Sequence, residues 1–274
     1  MPTSTTTSPA RAARGAASSV RDSAALRAGA RIGFAAAGLV HILLGVVALR
    51  VAFGGSGSAD PAGALATLQD EPGGPLLLWV VLVALVLLGL FLLLEGALLR
   101  GTDRDAWAKR GKKLATGIAY LAVAATAFGV VHSHRSSSKG TTRTWSARLL
   151  DAPGGRVLLF VVALVVLGVA TYFVVKGVKA KFRDDIRVPA GSLGSVVMVL
   201  GRTGYVAKGV ALGVVAVLTG AAALTADASK SGGLDSALKS LVALPAGVVL
   251  LAVVAVGLIA YGVYFFARAK YARL

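Results

Sequence analysis

Residues 30–53 read ARIGFAAAGLVHILLGVVALRVAF. Arg31 leads into a long run of small and aliphatic side chains with a single ionisable ring, His41, inside it. A helix needs about 20 apolar residues to cross a hydrocarbon core ~30 Å thick. Five more such runs follow, at 76–94, 114–131, 157–175, 204–224 and 248–266. None alternates polar and apolar residues as a barrel strand does, and an open sheet edge has no hydrogen-bond partners in lipid. The runs predict an all-α integral membrane protein with six transmembrane helices.

Composition agrees. Of 274 residues, 56% are hydrophobic and 15% charged, and the mean hydropathy is +0.78, too apolar for a soluble domain of this size. Residues 1–29 hold Thr, Ser, Ala and Arg with no apolar core, which predicts a disordered basic cytoplasmic tail rather than a cleavable signal peptide. The first helix is then expected to act as its own targeting signal. The absence of cysteine excludes disulfides, thiolate chemistry and a lipoprotein anchor. Heavy use of Ala, Gly, Val and Arg fits a high-GC bacterial genome.

Basic residues flanking the helices set the expected orientation. The stretch before the first helix, 100–113, 176–202 and the C-terminal end together carry twenty Lys or Arg. The opposite loops are poorer: 54–74 has none, and 227–239 has Lys230 and Lys239. The loop 135–148, with Arg135, Lys139, Arg143 and Arg148, dissents. The balance predicts a multi-pass plasma-membrane protein with both termini cytoplasmic. The net charge of +17 hugs helix ends and lacks interleaved aromatics, so anionic lipid rather than nucleic acid is the expected partner, with other membrane proteins beside it.

The first run recurs. Arg31, Arg110 and Arg202 each precede a glycine by seven residues: Gly38, Gly117 and Gly209. Pro72, Pro153 and Pro245 follow, each with a glycine two residues on: Gly74, Gly155 and Gly247. Phe91, Tyr172 and Tyr264 then fall seventeen residues further along. The chain is three tandem two-helix units, 30–100, 109–182 and 201–274, and equal orientation predicts a pseudo-threefold axis along the membrane normal. The stretches DPAGALATLQDEP, TRTWSARLLDAP and LDSALKSLVALP predict short helices lying on the outer membrane surface.

In the odd helices 29 of 60 residues are Gly, Ala or Thr, against 11 of 57 in the even ones. Small side chains allow close backbone approach, so an inner triad of odd helices with even helices outside is expected. Gly38, Gly117, Gly209 and Gly213 are the candidate packing positions, the last two forming a GxxxG step.

Four polar side chains fall in or near the membrane segments: His41, Tyr120, Glu95 and Lys208. In the repeat register His41 matches Tyr120 and Leu212, which favours an interhelical hydrogen bond over catalysis. Glu95, Lys176 and Arg268 are equivalent to one another, and Lys208 matches Ala37 and Thr116. Glu95 and Lys208 either pair with each other or snorkel separately to the headgroups. His132-Ser133-His134 lacks a nearby carboxylate or cysteine and makes a poor metal site. No catalytic, cofactor-binding or metal-ligating set is found, and no cofactor is expected.

ARIGFAAAGLVHILLGVVALRVAFGG, GRTGYVAKGVALG and GALATL resemble the actinobacterial membrane proteins grouped as domain of unknown function 1206, over about 30–270. That family is built of repeated two-helix units, each with an Arg-x-Gly-aromatic start. The second unit departs: Lys112-Lys113 stand where Gly33-Phe34 and Gly204-Tyr205 occur. The resemblance implies architecture and location and brings no catalytic residues. The expected role is a non-enzymatic bundle organising lipids or protein partners; the alternative is permeation of a small solute or ion.

Overall fold

A computed structural model describes residues 24–69, 71–99, 101–133 and 138–273. The expected tail up to residue 23, and His134 and Arg135, lie outside them. Six helices are long and apolar enough to cross a membrane: α1 (Ala24–Ala52), α3 (Gly74–Leu98), α4 (Arg104–Ser133), α6 (Gly155–Val178), α7 (Gly191–Thr225) and α9 (Gly247–Tyr271). Three short helices join them on one face: α2 (Pro61–Gln69), α5 (Ser138–Asp151) and α8 (Gly233–Val242). No strand occurs among the described residues. α1 begins at Ala24, so the last residues of the expected tail are helical.

The repeat is visible in the backbone. Gly73, Gly154 and Ala246, each following the repeat proline, all take a left-handed conformation with φ of 78°, 73° and 57°. The glycine after each turns the chain into the next long helix. A Cβ at Gly74, Gly155 or Gly247 would strike the carbonyl oxygen of Leu68, Leu149 or Leu241, which are themselves equivalent residues. Asp60 begins α2 by accepting a hydrogen bond from the Gly63 amide at 2.8 Å. Leu65, Leu68, Leu238 and Leu241 are buried beneath the short helices. Asp235 of α8 ties the helices together, accepting from the Ala59 amide at 2.8 Å.

The six long helices follow one another as a pseudo-threefold ring. α1 packs on α3 and α9, α4 on α3, and α7 on α6 and α9. The expected inner triad of odd helices does not form: the odd helices pack against even ones rather than against one another. Their small residues serve these contacts. A Cβ at Gly33 would lie 2.6 Å from the Ala84 carbonyl of α3, and one at Gly38 2.7 Å from the Gly262 carbonyl of α9. The other repeat glycines behave alike: Gly117 faces the Gly89 carbonyl at 2.9 Å, and Gly209 the Ala170 carbonyl at 2.8 Å. Gly89, Ala170 and Gly262 are equivalent residues in the repeat, so this contact is made three times. Gly213 is different, for a Cβ there would meet only Ala170, at 4.0 Å.

One interface of the ring is missing. α4 and α6, the two helices of the second unit, make no packed contact comparable to α1 with α3 or α7 with α9. Only 22% and 17% of their membrane-length windows are buried, against 39% or more in the other four. Ala115, Ala119, Val162 and Val169 are exposed along this seam, whereas their equivalents Ala36, Val40, Val81 and Leu88, and Ala207, Ala211, Val254 and Tyr261, are buried.

The cause is Lys112. In the closed pairs the equivalent residue is glycine: Gly33 against α3, and Gly204, where a Cβ would lie 2.5 Å from the Tyr261 Cα. A lysine has no room in such a contact, so α4 stands off α6.

Candidate functional site

The ends of the even helices meet the next unit's odd helix at one register position, with different chemistry each time. Arg268 lies over the Phe34 ring at 4.4 Å, and Lys176 over the Tyr205 ring at 4.8 Å. Glu95 instead accepts a hydrogen bond from Lys113 at 2.5 Å. Where the aromatic is replaced by Lys113, the cation that would face it is replaced by an acid. This accounts for the second half of the departure in the second unit, and it settles the partner of Glu95. The Glu95–Lys208 pair does not form.

Lys208 lies deeper, with its ammonium inside the ring. It donates to His41 Nε2 at 3.2 Å and lies over the rings of Tyr261 and Phe173 at 4.9 and 5.0 Å. His41 Nδ1 is 2.7 Å from the Ala37 carbonyl, so the proton is on Nδ1 and Nε2 presents its lone pair to Lys208. His41 thus bridges α1 to α7, which do not pack directly. An ammonium in the membrane interior costs ~2.5–3.5 kcal/mol on insertion scales. Each aromatic face returns about 0.5–2 kcal/mol. Tyr120 is part-buried against the same core, within electrostatic reach of Arg268 and Tyr205.

Towards the face that holds the C-terminus, the cluster gathers around Asp185 on a 3₁₀ turn, Lys181–Asp185, between α6 and α7. Lys176 donates to Asp185, while Lys112 and Arg268 stand off at 4.0 Å each. Burial opposes ionisation of Asp185, but Arg268, Lys176 and Lys112 outweigh it and hold its carboxyl below the usual range. The turn is locked by Phe182, buried and stacked on Tyr205 at 5.4 Å, and by the C-terminal strand-like end, where the Arg187 amide donates to the Tyr271 carbonyl at 2.8 Å. A cavity of about 90 Å³ lies beside Asp185, bounded by Glu95, Asp184, Lys113, Arg268 and Arg273, so its own lining is balanced in charge. Asp185, Phe182 and Arg268 had no motif to announce them in the sequence, beyond the equivalence of Arg268 with Glu95 and Lys176.

The charge count of the cluster is unbalanced. With Glu95 taken by Lys113, three cations (Lys112, Lys176 and Arg268) lie within 4.0 Å of one carboxylate, Asp185. One buried polar atom here, Arg268 Nε, has no hydrogen-bond partner. Such a site is suited to an anion. His132 is elsewhere, its ring against Phe128 at 4.0 Å and its Nδ1 3.1 Å from the Phe128 carbonyl. No group of three or more metal-ligating side chains occurs among the described residues.

Comparison with known proteins agrees with the architecture. The family described as Domain of Unknown Function (DUF1206) matches three times, at residues 32–98, 112–180 and 203–272. An uncharacterized protein of Bacillus subtilis (strain 168), YxxB, is 30% identical over 250 residues, covering 88% of this chain and 89% of its own. That relative is not actinobacterial, so the family's expected restriction to that group is not supported. No solved structure matches. With three copies of its unit spanning the ring, the chain belongs to the DUF1206 family.

Proposed function

We propose that this protein is a non-enzymatic bundle of the plasma membrane that organises anionic lipid at its basic face, with both termini cytoplasmic. The observation that carries this reading is the excess of cations over carboxylates where the helices end at that face. Each Lys or Arg near an anionic leaflet contributes about 1 kcal/mol of attraction. The opposite half of the bundle supports it too, being packed with Val47, Ala48, Ala211, Leu251, Val254 and Leu258. Among the described residues, aliphatic side chains close the space between α1, α7 and α9 there, which weighs against permeation.

Native mass spectrometry of the purified protein tests the reading. Retention of phosphatidylglycerol over phosphatidylcholine of equal chain length is the expected result, and equal retention contradicts it. Flux of a small ion in proteoliposomes, abolished by His41→Phe with Tyr120→Phe, would favour permeation instead.

A further inference from the structure

We infer that the seam between α4 and α6 is a lateral binding site for one anionic phospholipid, its chain between the helices and its phosphate at Lys112, Lys176 and Arg268. This rests on the lipid-organising reading above and sharpens it from a surface attraction to a single built site.

The apolar half of the site is the unclosed interface. Ala115 and Ala119 on α4, and Val162 and Val169 on α6, occupy positions that are buried in the other two units. At bilayer depth, what reaches an exposed apolar strip is an acyl chain. The strip is bounded at the opposite face by α5, which packs on α6 and α8, so it opens sideways rather than through the membrane.

The polar half lies where the strip reaches the basic face. Lys112 comes from α4 and Lys176 from α6, so the cations flank the seam from both sides. Tyr172, 41% exposed, forms the lip, with Lys112 Nζ 5.6 Å from its ring centre. Asp185 hydrogen-bonds Lys176 but lies beyond hydrogen-bond length from Lys112 and Arg268. Arg268 keeps Nε buried without an acceptor. A phosphate carries enough acceptor oxygens to engage several such donors, and guanidinium groups suit it well. Charge complementarity and membrane depth together select an acidic phospholipid over a zwitterionic one.

Lys112 acts twice at this site. Its stem holds the helices apart, and its ammonium meets the headgroup. The other two units carry glycine there and have no equivalent site.

The test is native mass spectrometry of protein from nanodiscs, titrated with phosphatidylglycerol, phosphatidylcholine and, separately, water-soluble glycerol phosphate. One phosphatidylglycerol per chain should survive activation that strips the rest, and glycerol phosphate should not compete. Lys112→Gln should weaken that retained lipid about fivefold, the equivalent of one surface cation. Ala119→Trp, at an exposed position, should expel the lipid while leaving every charge and the fold in place. If phosphatidylglycerol stays preferred but neither variant alters it, the lipid lies on the outer basic face; the seam site is then wrong while the broader reading stands. If no acidic lipid is preferred at all, both fall. A dimer that Ala119→Trp dissociates would make the seam a protein interface and overturn the site.

Discussion

Gly204 and Gly213 lie on the same helix, and replacing each by alanine should have opposite outcomes. Both substitutions gain helix propensity, about 1 kcal/mol, which cancels when they are compared. At Gly204 the new Cβ would lie 2.5, 2.6 and 2.7 Å from the Cα, Cβ and N of Tyr261. Two of those atoms are backbone, so no rotamer change can relieve the clash, and α7 and α9 must separate. Overpacking of this kind costs typically 1–3 kcal/mol. At Gly213 the nearest atom is the Ala170 Cβ at 4.0 Å, an ordinary contact, so alanine should be neutral or slightly stabilising. Gly204→Ala should therefore be less stable than Gly213→Ala by about 1–3 kcal/mol, roughly 5- to 150-fold in the folding equilibrium. Unfolding in mixed detergent micelles, followed by circular dichroism, measures the difference. Equal stabilities would refute the claim that closed intra-unit pairs depend on glycine at this register.

Further outcomes follow from the same geometry. Glu95→Arg or Lys113→Phe alone should destabilise the bundle by about 1 kcal/mol, and the double substitution, which recreates the Arg268–Phe34 contact, should recover most of it in a double-mutant cycle. His41→Phe should destabilise by about 1–3 kcal/mol because Lys208 loses its acceptor, whereas the additional change Lys208→Met should restore stability, as thermal unfolding in detergent would show. The carboxyl of Asp185 has its pKa lowered from an ordinary value near 3.8, so its contribution is complete above about pH 5 and lost as pH falls through the lowered value. Thermal stability should thus be insensitive to this group from pH 8 to 5, and Asp185→Asn should lower it throughout that range.

Much of the architecture is legible in the sequence because the landmarks are backbone necessities. The glycines at 74, 155 and 247 recur because a side chain there would strike a carbonyl, and that requirement repeats with the fold. The packing partners were not legible. A helix rich in Gly and Ala announces that something comes close without saying from which side, which is why an inner triad was expected and a ring was found. The Lys112-Lys113 departure could be seen, but its meaning needed the knowledge that residue 112 faces its own unit and residue 113 the preceding one. Glu95 drew attention as an intramembrane acid, yet its partner lay eighteen residues along, on the next helix. Asp185 sits on a short turn with no periodic signal, and only the convergence of cations from three helices on it reveals its place.

The defining feature of the molecule is a threefold ring whose second unit is held open. The native chain has no cysteine, so engineered pairs report without interference. Ala36→Cys with Ala84→Cys, Ala115→Cys with Val165→Cys, and Ala207→Cys with Gly257→Cys place one pair at the same register in each unit, and catalysed oxidation in native membranes reads whether each closes. The first and third pairs should cross-link rapidly and the second should not; cross-linking of the second at the same rate would contradict the open seam.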